Sequence, residues 1–125
     1  RGFNGNAINL RVTGGIANAI IEGNNINAFT DGVSMRALLI ERIANNVVVA
    51  NNIVESNSDT INISGSATGV TVTGNQINGP RGVKVMESSE HVLLTGNNIL
   101  GVPTSANRII NSTTGTNIIS NGNLT

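Results

Sequence analysis

The sequence predicts an all-β fold, a parallel β-solenoid of about five coils of 18–27 residues with asparagine-ladder corners, and two observations carry it. A short string recurs along the chain: GNNI at 23–26 returns as ANNI at 50–53, GNQI at 74–77 and GNNI at 96–99, with GNAI at 5–8 before it and NGNL at 121–124 after it. Composition is the second: Ile and Val number 28 against 7 Leu, which favours strands. Phe3 and Phe29 are the only aromatics and there is no Cys. A 125-residue chain without rings or disulfides must bury its aliphatics by regular stacking, which is the logic of a repeat.

Anchoring each string on its last aliphatic gives Ile8, Ile26, Ile53, Ile77, Ile99 and Leu124, at intervals of 18, 27, 24, 22 and 25 residues. Fourteen residues before each of the last five stands another aliphatic, Val12, Leu39, Ile63, Val85 and Ile110, so the length variation falls after the anchors. Pro80 and Pro103 both lie in those variable stretches, where no ladder N–H is lost. Five residues before the anchors come Ile21, Val48, Val72, Leu94 and Ile119, and two residues earlier Ala19, Asn46, Val70, Val92 and Asn117. This period of two predicts a strand with these columns inward. A second alternating pair lies upstream at Leu10/Val12, Ala37/Leu39, Ile61/Ile63 and Val83/Val85; Arg108/Ile110 breaks it, because an arginine does not belong in an apolar stack. Two residues before the anchors stand Asn24, Asn51, Asn75 and Asn97, with Gly122 in the last coil. Such a column suits a ladder of side-chain amides, and Asn also tolerates the left-handed backbone of a corner.

A leucine-rich-repeat-like solenoid is the alternative, since Val70-x-Val72-x-x-Asn75-x-Ile77 fits its repeat core. Scarce Leu and the second alternating strand weigh against it. The V-x-V-x-x-N-x-I repeats with irregular loops resemble the right-handed parallel β-helix of the pectate-lyase-like superfamily, closest to the Asn-rich β-helix segments of bacteriophage tailspikes and neck appendages. The resemblance covers nearly the whole chain, and it implies a homotrimer, an extracellular or virion-tail location and recognition of surface polysaccharide.

Charge narrows the partners. Seven Lys plus Arg balance seven Asp plus Glu, so no net field recruits nucleic acid or an anionic membrane. No apolar run approaches the ~20 residues of a bilayer span. With no Cys and one His, a zinc site is not expected, and no other metal or cofactor is implied. The chain reads as a single β-helix domain over 1–125, and its opening on Arg1 with no capping helix gives the expectation of a piece of something longer.

Ionisable groups concentrate in loops and corners. Glycoside hydrolysis needs two carboxylates, ~5–5.5 Å apart for retention or ~6.5–9.5 Å for inversion. Glu41 and Glu87 share a column in the alignment with Gly65 between them, and Asp31 and Asp59 sit in successive loops that line one edge. These four are the candidate catalytic residues. A lyase or epimerase would need a base and a cation to hold an enolate, for which Arg36, Arg42, Arg81 and Lys84 are the candidate substrate-binding residues. No multi-Asp calcium constellation and no Arg-x-Pro-x-x-Arg-like motif is present, a departure from the pectate lyases. His91, beside Glu90, reads as a corner polar group. The lack of Trp and Tyr removes the aromatic faces on which sugars usually stack.

Between the two inward columns stand Ile20, Val47, Thr71, Leu93 and Ile118. They form an outward aliphatic stripe suited to packing chains into a parallel homotrimer. The leading expectation is therefore a structural and polysaccharide-recognition segment. The alternative is an enzyme of the same fold, a glycoside hydrolase, lyase or epimerase acting on polysaccharide. An ice-binding solenoid would repeat Thr71-x-Thr73 in every coil, and one coil has it.

Overall fold

Left-handed backbone recurs at fixed points of the coil, with Gly23, Asn51, Gly74, Gly96 and Gly122 at one corner and Asn46, Gly69, His91 and Asn117 at another, and those corners set the register of everything else. The structure, a computed structural model, describes residues 6–12, 18–28, 36–42, 45–101 and 108–124, with side chains at all of these except 6–12, 36–39 and 41–42. The described residues form strands and corners with no helix. One five-stranded sheet contains, in spatial order, β1 (Asn6–Val12), β4 (Arg36–Arg42), β7 (Asp59–Ile63), β10 (Arg81–Glu87) and β13 (Ile109–Thr113). A second holds β2 (Ala19–Glu22), β5 (Asn45–Ala50), β8 (Thr68–Thr73), β11 (Glu90–Thr95) and β14 (Ile118–Asn121). The third has four strands, β3 (Asn25–Ala28), β6 (Ile53–Ser56), β9 (Gln76–Asn78) and β12 (Asn98–Leu100). We call them the A, B and C faces. All pairings are parallel, and every third strand returns to the same sheet, so the fold is a parallel β-solenoid. Three sheets, with no helix among the described residues, set aside the leucine-rich-repeat alternative.

The inner surfaces of the sheets meet in one apolar core. On the B face Val47, Val70 and Val92 stack in one column and Val49, Val72 and Leu94 in the next, all essentially fully buried. The A face contributes Ile61 with Val83, and Ile40, Ile63 and Val85. The C face adds Ile26, Val54, Ile77 and Ile99. Each such side chain gains about 1.5–3 kcal/mol by leaving water. Stacking like on like makes the gain repeat with every coil, which is how a chain almost without rings builds a core.

Backbone corners explain where the string alignment slips. Gly23, Asn51, Gly74, Gly96 and Gly122 all have φ between 54° and 67°. Asn51 thus occupies the glycine position, and the ladder position passes to Asn52; likewise Gly122 is a corner and Asn123 is the ladder residue. The alignment on Ile53 and Leu124 is therefore one residue early in those two coils: Val54 pairs with Ile26 and Ile77, whereas Ile53 points outward, 42% exposed. Ile8 is not equivalent to Ile26 either, since it lies in β1 opposite Leu38. The upstream pair shifts too. Ile109, not Arg108, stands opposite Val83 and packs against the core, which removes the buried arginine.

The ladder itself runs Asn24, Asn52, Asn75, Asn97, Asn123. The Oδ1 of each of the last four accepts the backbone N–H and the Nδ2 of the asparagine one coil earlier, at 2.9–3.1 Å. The Nδ2 atoms also donate to strand carbonyls, Asn52 to Ile21, Asn75 to Val49, Asn97 to Val72 and Asn123 to Leu94. Asn52, Asn75 and Asn97 are 0–1% exposed, so these bonds satisfy groups that water cannot reach.

Candidate functional site

Extending the register of the A face puts Arg36, Asp59 and Arg81 at one position, the first residue of β4, β7 and β10. Around Asp59 the side chains converge. Its carboxylate is 5% exposed and meets the Arg81 Nε at 2.6 Å through Oδ1 and the Lys84 Nζ at 3.9 Å through Oδ2. Asn62 donates through Nδ2 to the same Oδ2 at 3.2 Å. The turn leading into β7 completes the cluster: the Arg81 guanidinium donates to Ser58 Oγ at 3.3 Å, and the Thr60 hydroxyl donates to the Arg81 carbonyl at 2.9 Å. Gly79 passes so close to Thr60 and Ser56 that a Cβ there would collide with the Thr60 hydroxyl. The chain bends tightly over this cluster only because that residue has no side chain.

Burial without pairing would make Asp59 costly, and the two cations with an amide donor meet that cost. Among the described residues the site holds two positive charges against this one carboxylate. Lys84 is the less committed of the two. Its ammonium lies beyond hydrogen-bond distance from Asp59 and donates to no group among the described residues, though its side chain is only 22% exposed. Arg81 is 42% exposed and keeps donors beyond those used on Asp59 and Ser58.

The other candidates lie elsewhere. Asp31 falls outside the described residues. Glu41 and Arg42 are placed by backbone alone at the end of β4. Continuing the pairing of Ile40 with Ile63 puts Glu41 opposite Ser64 and Arg42 opposite Gly65, while Glu87, two residues past Val85, also falls opposite Gly65. The expected Glu41–Glu87 column is thus off by one residue, and Arg42 shares the position of Glu87. Glu87 is itself a corner, with φ 59° and its carboxylate accepting the Gly65 N–H at 2.5 Å. Asp59 aligns with Arg81, six residues before Glu87 on β10, so the two carboxylates are about 20 Å apart along the strands. That is twice the widest separation that lets two carboxyls share a glycosidic bond, about 9.5 Å. Among the described residues no three His, Asp or Glu side chains gather as metal ligands.

His91 takes the corner position with Asn46, Gly69 and Asn117, all at positive φ. Asn46 and Asn117, which the repeat aligns with the inward Val70 and Val92, are therefore corner residues one position before Val47 and Ile118. The His91 Nε2 sits 3.0 Å from Asn117 Nδ2, and its Nδ1 is 3.9 Å from Glu90. Beside it, His91, Val92, Leu93, Asn117 and Ile119 line a shallow concavity of about 210 Å³ on the B face. That is below the 300–1,000 Å³ of ordinary small-molecule sites.

The outward row on the B face is Ile20, Val48, Thr71, Leu93 and Ile119, by direct pairing of each with the next. Val47 and Ile118, expected in this stripe, point inward: Val47 is fully buried and Ile118 packs against the core. The stripe survives with Val48 and Ile119 in their places. Ile20 is 72% and Ile119 52% exposed.

Sequence reasoning named Asp59, Arg81 and Lys84 separately and missed Asn62, Ser58 and Thr60, whose part depends on register that no local motif carries. Comparison with known protein families, with curated proteins and with solved structures gives no match to this chain.

Proposed function

We propose that this chain is a right-handed parallel β-helix segment of the pectate-lyase-like type, serving as a structural and polysaccharide-recognition module in a tailspike-like or appendage-like assembly. The reading places it outside the cell or on a virion tail. The observation that carries it is the outward aliphatic row Ile20, Val48, Leu93 and Ile119 on a sheet stiffened by a buried amide ladder. This row, exposed at Ile20 and Ile119, half-buried at Val48 and Leu93 and interrupted by Thr71, is costly in water, a cost relieved when copies of the chain pack side by side. The resemblance adds the parallel trimer and the glycan.

The enzyme alternative rests on Asp59. Its oxygens are taken up by Arg81, Lys84 and Asn62, an arrangement that suits a structural ion pair better than a proton shuttle. Two measurements test the proposal. Leu93→Asp combined with Ile119→Asp should reduce the solution mass to that of one chain; a mass that does not change with these substitutions removes the interface. Incubation with bacterial capsule and wall polysaccharides, following polymer size and new chain ends, should give co-elution without shortening. Shortened polymer would establish the depolymerase instead.

A further inference from the structure

The A-face cluster carries two cations on one carboxylate, and this imbalance is built into the fold. Asp59 is buried and holds the guanidinium of Arg81 through Nε, which fixes the direction of the remaining guanidinium donors. Lys84 follows on the same strand, three residues along, and its ammonium stands 3.9 Å from the other carboxylate oxygen without a hydrogen bond to any of the described residues. Its three N–H donors are therefore unassigned among them, in a side chain held to 22% exposure. Among the described residues the three groups carry two positive charges and one negative, a residual of one positive charge. Confinement raises the strength of that residual charge, because a partly desolvated ammonium is screened less than one on a free side chain.

We propose that Arg81 and Lys84 form a binding site for a single oxyanion, a carboxylate, sulfate or phosphate group carried on a sugar. The inference rests on the polysaccharide-recognition reading and deepens it by naming the chemical class of the glycan. The planar guanidinium donors and the ammonium offer charge-assisted hydrogen bonds that an oxyanion accepts and a neutral hydroxyl uses only weakly. The site needs no aromatic platform, which agrees with a chain that has neither Trp nor Tyr. Partly exposed cations and one net charge set the affinity in the millimolar range, so tight binding by a polymer comes from repeated anionic units meeting several copies of the site.

The test follows the Lys84 ε-CH2 and Arg81 Nε–H NMR signals of the whole chain during titration with a methyl glucuronide, inorganic phosphate and, as the neutral control, methyl glucoside. Saturable shifts at both residues with the glucuronide, absent with the glucoside, are expected. Lys84→Gln should weaken that binding roughly tenfold. Lys84→Gln gives up only the 3.9 Å contact with Asp59, whose carboxylate keeps Arg81 and Asn62, so this variant should keep the parent circular dichroism spectrum with a slightly lower melting temperature. Arg81→Gln should weaken binding as well, with Lys84→Gln deciding the matter where Arg81→Gln unfolds. Phosphate binding more tightly than the glucuronide would support the oxyanion site and identify its source as a free ion. The reverse order would identify the sugar acid. Lys84 signals unmoved by either anion, or glucuronide affinity unchanged by Lys84→Gln, would overturn the inference. If polysaccharides co-elute equally well with parent and Lys84→Gln chains, the anion site fails while the recognition reading stands. Anion binding at Lys84 with no polysaccharide bound would do the reverse.

Discussion

Asn75 sits at the middle of the amide ladder, and replacing it measures what the ladder contributes. Its carboxamide makes five hydrogen bonds: Nδ2 to the carbonyls of Val49 and Thr73 and to Asn97 Oδ1, and Oδ1 from the N–H and Nδ2 of Asn52. In Asn75→Ala some partners keep a second bond. Asn97 Oδ1 still accepts the N–H of residue 75, and Asn52 Nδ2 still donates to Ile21. The Asn52 N–H, in a residue 1% exposed, loses its side-chain acceptor. An unsatisfied buried group costs about 1–3 kcal/mol, and the void left by the carboxamide adds to it. The sum is roughly 3–5 kcal/mol, a large part of the ~5–15 kcal/mol that holds a domain together. Asn75→Asp separates hydrogen bonding from shape, because it keeps the acceptor but turns a donor into an oxygen facing the Val49 and Thr73 carbonyls. It should cost at least as much as the alanine. Asn98→Ala is the control, since the Asn98 carboxamide makes no hydrogen bond among the described residues, and should stay within about 0.5 kcal/mol. Urea unfolding followed by far-ultraviolet circular dichroism reads all three, the chain having no Trp or Tyr for fluorescence. An Asn75→Asp chain within 1 kcal/mol of the parent would refute the reasoning.

Two further substitutions pairs test the corrected register and the corners. Val47→Asp buries a charge in the core and should abolish cooperative unfolding, while Val48→Asp on the outer row should cost under about 1 kcal/mol in the separated chain; equal effects would place both residues wrongly. Gly79→Ala drives a methyl into Thr60 and the Ser56 carbonyl and should lower the melting temperature far more than Gly96→Ala, where a Cβ meets open space and only the backbone strain at φ 63° remains, about 1 kcal/mol.

Much of the fold was legible because the core is built by repetition. Ile61/Ile63, Val70/Val72, Val83/Val85 and Val92/Leu94 announce both the strands and their inward faces, and their columns stand as the alternation predicts. An aliphatic residue is a poor marker of register in this chain. Ile53 and Leu124 look like their neighbours in the string, but an outward position on a solenoid accepts an aliphatic side chain, whereas a left-handed corner accepts little besides Gly and Asn. Aligning Gly122 with Gly23, Gly74 and Gly96 would have placed Asn123 in the ladder, and reading Asn51 as their equivalent would have placed Asn52 there. One residue of slip then turned Val47 and Ile118 outward on paper, since side chains alternate with period two. The ion cluster was legible only as a list. Asp59 and Arg81 are 22 residues apart, and nothing local in either segment says that their strands start level.

The central claim is a parallel solenoid whose register is set by its corners, and interstrand NOEs on isotopically labelled protein test it most directly. Backbone contacts should pair Val47 with Val70, Val48 with Thr71 and Ala50 with Thr73, all in parallel sense. Contacts pairing Val47 with Thr71, as the repeated string alone suggests, or an antiparallel pattern between these strands, would contradict it.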